Sequence, residues 1–163
     1  MWKLLIVGAL IAGATRSAAA DCDDKAKAVY SRDEQPLGTA NPARTQTFTI
    51  RASGAWTRHT ERAVPGSPAK IDDEHGCLAA PRMKLVDGAV AKAQWKTVKA
   101  VRKCRVAPFS HVVYAAPAKK KSIAHDEPCG DPFDAGTATL ISCAEASIDP
   151  ALKDDDVEHA CGL

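Results

Sequence analysis

The sequence predicts an α+β fold: a small, mainly antiparallel sheet with one or two helices, stabilised by disulfides. Three observations lead there. Short runs rich in β-branched residues alternate with Gly and Pro turn signals, which pairs neighbouring strands antiparallel. Segments 89–105 and 150–161 carry helix-like spacing or caps. Six cysteines, Cys22, Cys77, Cys104, Cys129, Cys143 and Cys161, follow an export-type leader. An all-β sandwich is the alternative if 89–105 is extended.

The leader comes first in the chain. Residues 1–20 have a basic head at Lys3, an apolar run over 4–14 and small residues at 17–20, the three parts of a cleavable signal peptide. That run is shorter than the roughly 20 residues a helix needs to cross a bilayer, so no transmembrane anchor is expected after cleavage. Residues 21–163 then form a single domain, secreted or periplasmic. The formal charge of +2 resides in Lys3 and Arg16, so the exported domain is formally neutral.

Along that domain, residues 21–31 read as a short helix with Ala26, Val29 and Tyr30 on one face, and 32–44, with Pro36, Gly38, Asn41 and Pro42, as a loop. Residues 46–51 alternate Phe48 and Ile50 with threonines; Ser53-Gly54 is a turn signal, and 56–64 returns as a second strand. An acidic loop runs through Asp72, Asp73, Glu74 and His75 to Gly76. Met83 to Val86 followed by Asp87-Gly88 has the look of a strand entering a hairpin. The favoured reading is instead a helix over 89–105, capped by Asp87, with Val90, Val98, Val101 and Cys104 on one face and Lys92, Lys96, Lys99 and Lys103 on the other. Residues 112–116 and 137–143 read as strands. Asp149, Pro150 and Gly162 bracket a final helix.

None of the six cysteines forms a Cys-x-x-Cys pair, which argues against a thioredoxin-like redox site and a zinc ribbon. They are read as structural disulfides. The chain needs them, because aromatics make up 5% of it and much of its hydrophobic fraction is alanine, which buries little area.

Charge is segregated. Residues 82–121 hold eleven Lys or Arg against Asp87 alone, and 122–163 hold ten acidic residues against Lys153 alone. The two halves can neutralise each other. Where it stays exposed, the basic segment Lys92, Lys96, Lys99 and Lys103 would meet a protein or another anionic partner.

Two constellations could carry chemistry. On the second strand, alternation sets His59 and Glu61 on one face and Arg58 and Arg62 on the other, offering an acid–base pair with a basic residue such as Arg58, Arg62 or Lys96. That is the residue set of a small nuclease-like hydrolase. If Cys77 paired with Cys129, the loops around them would bring His75, His125 and Asp126 together as a donor set for a divalent metal. No nucleophile elbow, phosphate-cradling glycine loop or EF-hand spacing is present. The reading favoured by this absence of motifs is a non-enzymatic binding or interaction domain that needs no cofactor. The hydrolase and the divalent-metal binder are its alternatives.

Overall fold

The structure is a computed structural model, and it describes residues 22–38, 43–100 and 105–163. The leader and residues 101–104, with Lys103 and Cys104, lie outside the described residues. Six strands form one antiparallel sheet: β1 (Ala28–Pro36), β2 (Ala43–Arg51), β3 (Ala55–Ala63), β4 (Lys70–Cys77), β5 (Ser110–Ala116) and β6 (Lys121–Glu127), in the order β4-β3-β2-β1-β5-β6. Helices α1 (Ala80–Lys92), α2 (Ala135–Ile148) and α3 (Asp154–Ala160) complete the fold. This is the expected disulfide-stabilised α+β class.

One face of the sheet meets the helices. Tyr30, Phe48, Ile50, Val112 and Tyr114 point into a cluster with Met83, Val86 and Val90 of α1, Leu140, Ala144 and Ile148 of α2, and Val157 of α3. Tyr30 and Phe48 meet edge to face at 5.7 Å. Period-two alternation sends Ser31, Asp33, Thr45, Thr47, Thr49 and Thr57 to the opposite face, which is half-buried to exposed.

The predicted hairpin is present. β2 and β3 pair from Ala43↔Ala63 to Ile50↔Trp56, joined through Gly54 at φ 87°, a conformation that favours glycine. The strand predicted over 112–116 is β5, and Gly162 does follow the last helix. That helix starts at Asp154, later than predicted, because Asp149 caps the end of α2 instead.

Other elements differ from expectation for identifiable reasons. Residues 28–36 form a strand; the inward positions after Tyr30 are Arg32 and Glu34, and this buried ion pair replaces the apolar alternation that marks a strand. The acidic stretch 70–77 is also a strand. It lies at the sheet edge, where charged side chains discourage further pairing. Asp87 and Gly88 lie inside α1, which begins eight residues earlier than an Asp87 cap allows and ends at Lys92. Pro81 opens that helix, and Met83, Val86, Ala89 and Val90 form its buried stripe. Beyond it the chain is extended, and backbone bonds from Val98 N to Pro132 O and Asp134 N to Lys96 O tie it to the segment before α2.

The 137–143 segment is helical. Thr137, Leu140, Cys143, Ala144 and Ser147 recur at helical spacing on the buried face. Asp134 caps α2 by accepting from Thr137 N at 3.0 Å and Thr137 Oγ1 at 2.6 Å. Lys96 N also donates to Asp134. Although desolvation works against it, these hydrogen bonds, with one from the Gln94 backbone, hold the Asp134 carboxyl down at about 2.

Cys22 bonds Cys77 with Cα atoms 5.9 Å apart, anchoring the first described residue to the end of β4. Cys143 bonds Cys161 with Cα atoms 4.4 Å apart, joining α2 to α3. Cys129 is also disulfide-bonded.

Candidate functional site

The helix-facing side of the sheet changes character along its length. Where α1 and α2 cover it, it is apolar. Past the Phe48 level the inward positions become Arg32, Glu34, Gln46, Arg58 and Thr60, followed by Arg44 and Arg62, brought side by side by the β1–β2–β3 register. Glu34, Gln46 and Thr60 are all buried. They survive burial by bonding one another: Arg32 donates to Glu34 at 2.9 Å and to Gln46, and Gln46 donates to Thr60 at 2.9 Å.

Glu145 reaches this network from α2. Arg58 Nη2 donates to its carboxylate, and Arg32 Nη1 stands 3.8 Å from it. Arg58 also lies over the Phe48 ring at 5.0 Å and pairs with Glu74 of β4 at 3.3 Å. Beneath this group, the Tyr30 hydroxyl has no hydrogen-bond partner among the described residues. Burial, reinforced by the Glu145 and Tyr114 charges, pushes it well above its ordinary pKa. Burial likewise pushes Tyr114 up to about 12. Both phenols therefore stay protonated donors at neutral pH.

Around Glu145 opens a cleft of about 1090 Å³ between the β3–β4 edge and the C-terminal end of α2. Trp56, Leu78, Ile148 and Leu152 give it an apolar wall; Arg58, Glu74 and Glu145 line its charged end. Trp56 can lie here because its cross-strand partner is Gly76: a Cβ at position 76 would stand 2.9 Å from Trp56 Nε1. Arg82 fixes the far rim by donating to the carbonyls of Ser147 (3.2 Å), Asp149 (3.0 Å) and Leu152 (2.7 Å) and to Asp154 (3.0 Å). A second cleft of about 520 Å³, lined by Arg44, Gln46, Thr60, Arg62 and Asp72, shares Arg58 and Glu74 with the first. The two clefts adjoin at Arg58 and Glu74.

Of the residues singled out from sequence, Arg58, His75 and Cys77 line the first cleft and Arg62 the second, while the others lie elsewhere. His59 and Glu61 do share a face, and His59 Nδ1 stands 2.6 Å from Asp73 Oδ1. That face is the open one, whereas Arg58 and Arg62 point to the helix side; the predicted acid, base and arginine do not converge. Lys96 is exposed in the extended segment after α1.

The presumed metal set is also dispersed. Cys77 bonds Cys22, so the bridge that would have gathered the set is not formed. His75 is on β4 and His125 on β6, opposite edges separated by five strand spacings, about 24 Å. The His125 ring packs against Phe133 at 4.7 Å, and Asp126 faces His111 at 2.6 Å. Among the described residues, no group of three or more His, Cys, Asp or Glu could hold a metal ion.

The lysine face is not helical either, since Lys96 and Lys99 follow the end of α1. Acid–base pairing between the two halves of the chain includes Arg82–Asp154, while Glu145 of the acidic half pairs with Arg58 and Arg32 of the early strands. Sequence reasoning did not find Glu145, Trp56 or Arg82 as site residues. Glu145 lies 87 residues from Arg58, and no local pattern joins them.

No known protein family, curated protein or solved structure matches this chain.

Proposed function

We propose that the chain is a secreted or periplasmic, non-enzymatic binding domain whose ligand lies in the cleft between β3–β4 and α2. The cleft itself carries the reading. It combines a partly exposed aromatic wall at Trp56, buried aliphatic backing from Leu78 and Ile148, and a few charged groups at one end, which is the usual make-up of a binding site. Trp56 and Ile148 stand on β3 and α2, and Arg82 and the Cys22–Cys77 bridge hold the connecting segments at its margins, which supports a preorganised site. The export-type leader and the disulfides support the compartment.

Blocking the cleft tests this. Ala79 is an exposed rim residue, and Thr47 is exposed on the opposite face. Pools of short peptides with free C-termini are expected to bind wild type and Thr47→Trp alike, and to lose at least tenfold in affinity for Ala79→Trp. Equal binding to all three would place the ligand site elsewhere.

The nuclease-like alternative has one observation on its side, the His59–Asp73 pair. RNA cleavage by the purified protein that disappears in His59→Ala would favour it over the binding reading.

A further inference from the structure

We infer that Glu145 is a built-in occupant of a carboxylate site, and that the cleft takes a peptide segment whose own carboxylate replaces Glu145 on Arg58 and Arg32. This rests on the cleft reading and names the ligand class for it.

The exposures set the direction of exchange. The Arg32 and Arg58 side chains are 14% and 22% exposed, but Glu145 is 36% exposed, so the anion is the accessible member of the group. A ligand carboxylate arriving along the cleft meets Glu145 first and competes for the same N–H donors. Glu145 can yield, since its carboxylate is the most exposed member of the group and water already competes for it.

The donors also outnumber the acceptors. Arg32 Nε, Arg58 Nε and the Tyr30 hydroxyl have no hydrogen-bond partner among the described residues. At 3.8 Å, Arg32 Nη1 is beyond hydrogen-bond reach of Glu145. Glu145 thus serves one arginine well and the other poorly. An ionised carboxylate accepts at both oxygens and donates nothing, and it fits the planar fork of a guanidinium. A ligand carboxylate, free of the α2 backbone, can sit between the two arginines as Glu145 does not.

The other end of the cleft decides what carries the acid. Trp56, Leu78, Ile148 and Leu152 ask for an apolar group beside the carboxylate. A peptide with an aliphatic side chain next to a terminal or acidic carboxylate supplies both. An acidic sugar supplies the charge with no counterpart for the aliphatic wall.

The test titrates the protein with alanine- and leucine-rich octapeptides ending in a free carboxylate, the same peptides amidated, and an oligogalacturonate. Affinity and the arginine Nε–Hε resonances are followed by NMR. The free-acid peptides are expected to bind and to shift the Arg58 and Arg32 signals, with amidation weakening binding about tenfold. Glu145→Gln should tighten binding about two- to fivefold, the factor released by a partly exposed ion pair. Arg58→Gln should weaken it about tenfold; Arg58→Lys, which keeps the charge and the fold, should recover only part of that. Equal binding of acid and amide, an unchanged affinity in Glu145→Gln, oligogalacturonate binding in place of peptide, or no peptide binding to either protein would each overturn the inference. Peptide shifts at Trp56 and Leu78 that ignore Glu145→Gln would leave the cleft reading standing; shifts confined to the opposite face would remove both.

Discussion

At the level of single side chains, Glu34 decides how the polar half of the sheet is held. Its carboxylate is almost fully buried and bonded to Arg32, with Arg44 Nε 3.9 Å away. Removing one partner of a buried pair leaves the other charge uncompensated, so Glu34→Ala is expected to destabilise the protein by about 3 kcal/mol. A shift in urea midpoint with an unchanged slope checks this; a loss under about 1 kcal/mol would mean that Arg32 is adequately held by Gln46 and Glu145. Gly76 makes a comparable claim for the cleft wall. Gly76→Val should displace the Trp56 indole, seen as a change in near-ultraviolet circular dichroism, because no side chain fits beneath that ring.

Among the elements, α2 matters most, since it carries Glu145, its C-terminal end is held by Arg82 of α1 and its N-terminal end by its own cap, Asp134. Arg82→Ala removes three carbonyl contacts at and just beyond the C-terminal end of α2 and is expected to cost about 2–3 kcal/mol. At the other end, the Asp134 carboxyl titrates at about 2 in the fold against an ordinary 3.8. A depressed folded-state pKa contributes stability that is complete above the unfolded value and is lost as pH falls through the folded one. The contribution should therefore be present at pH 5 and fade between about pH 4 and 2. Asp134→Asn keeps a capping acceptor that does not titrate, so its stability gap to wild type should close over that window in urea titrations from pH 5 to 2. A gap that does not change with pH would contradict the cap geometry.

These same elements show what the sequence made legible. β2 alternates Phe48 and Ile50 with threonines, β3 follows it through the Ser53-Gly54 turn signal, and β5 is stopped by Pro117, so their prediction needed nothing beyond local pattern. β1 and β4 lacked that pattern because one buries an ion pair and the other is an acidic edge. α2 resembles a strand over Thr137–Cys143 in composition alone; its helical stripe becomes evident only when Asp134 is recognised as the cap. The site was less legible than the fold. Arg58 stood out as a strand residue, but its importance comes from Glu145 and the Phe48 ring, and only the tertiary fold brings these to it.

For the molecule as a whole, the disulfides add to a core built around Tyr30, Phe48, Tyr114 and a set of aliphatic side chains. The loops closed by Cys143–Cys161 and Cys22–Cys77 span 18 and 55 residues, which corresponds to about 3 and about 4 kcal/mol of restricted unfolded chain. The double substitution Cys143→Ala and Cys161→Ala should lower stability by about 3 kcal/mol and loosen α3 from α2. The charge asymmetry read along the chain has a spatial outcome too: Glu145, from the acidic half, neutralises arginines of the first strands and so sits in the cleft. Backbone amide mapping of the free-acid peptide complex by NMR tests the binding claim most directly. The account predicts shifts clustered at Trp56, Gly76 to Leu78 and Glu145 to Ile148. Shifts gathered around His59, Glu61 and Asp73, or along Lys92 to Lys99, would contradict it.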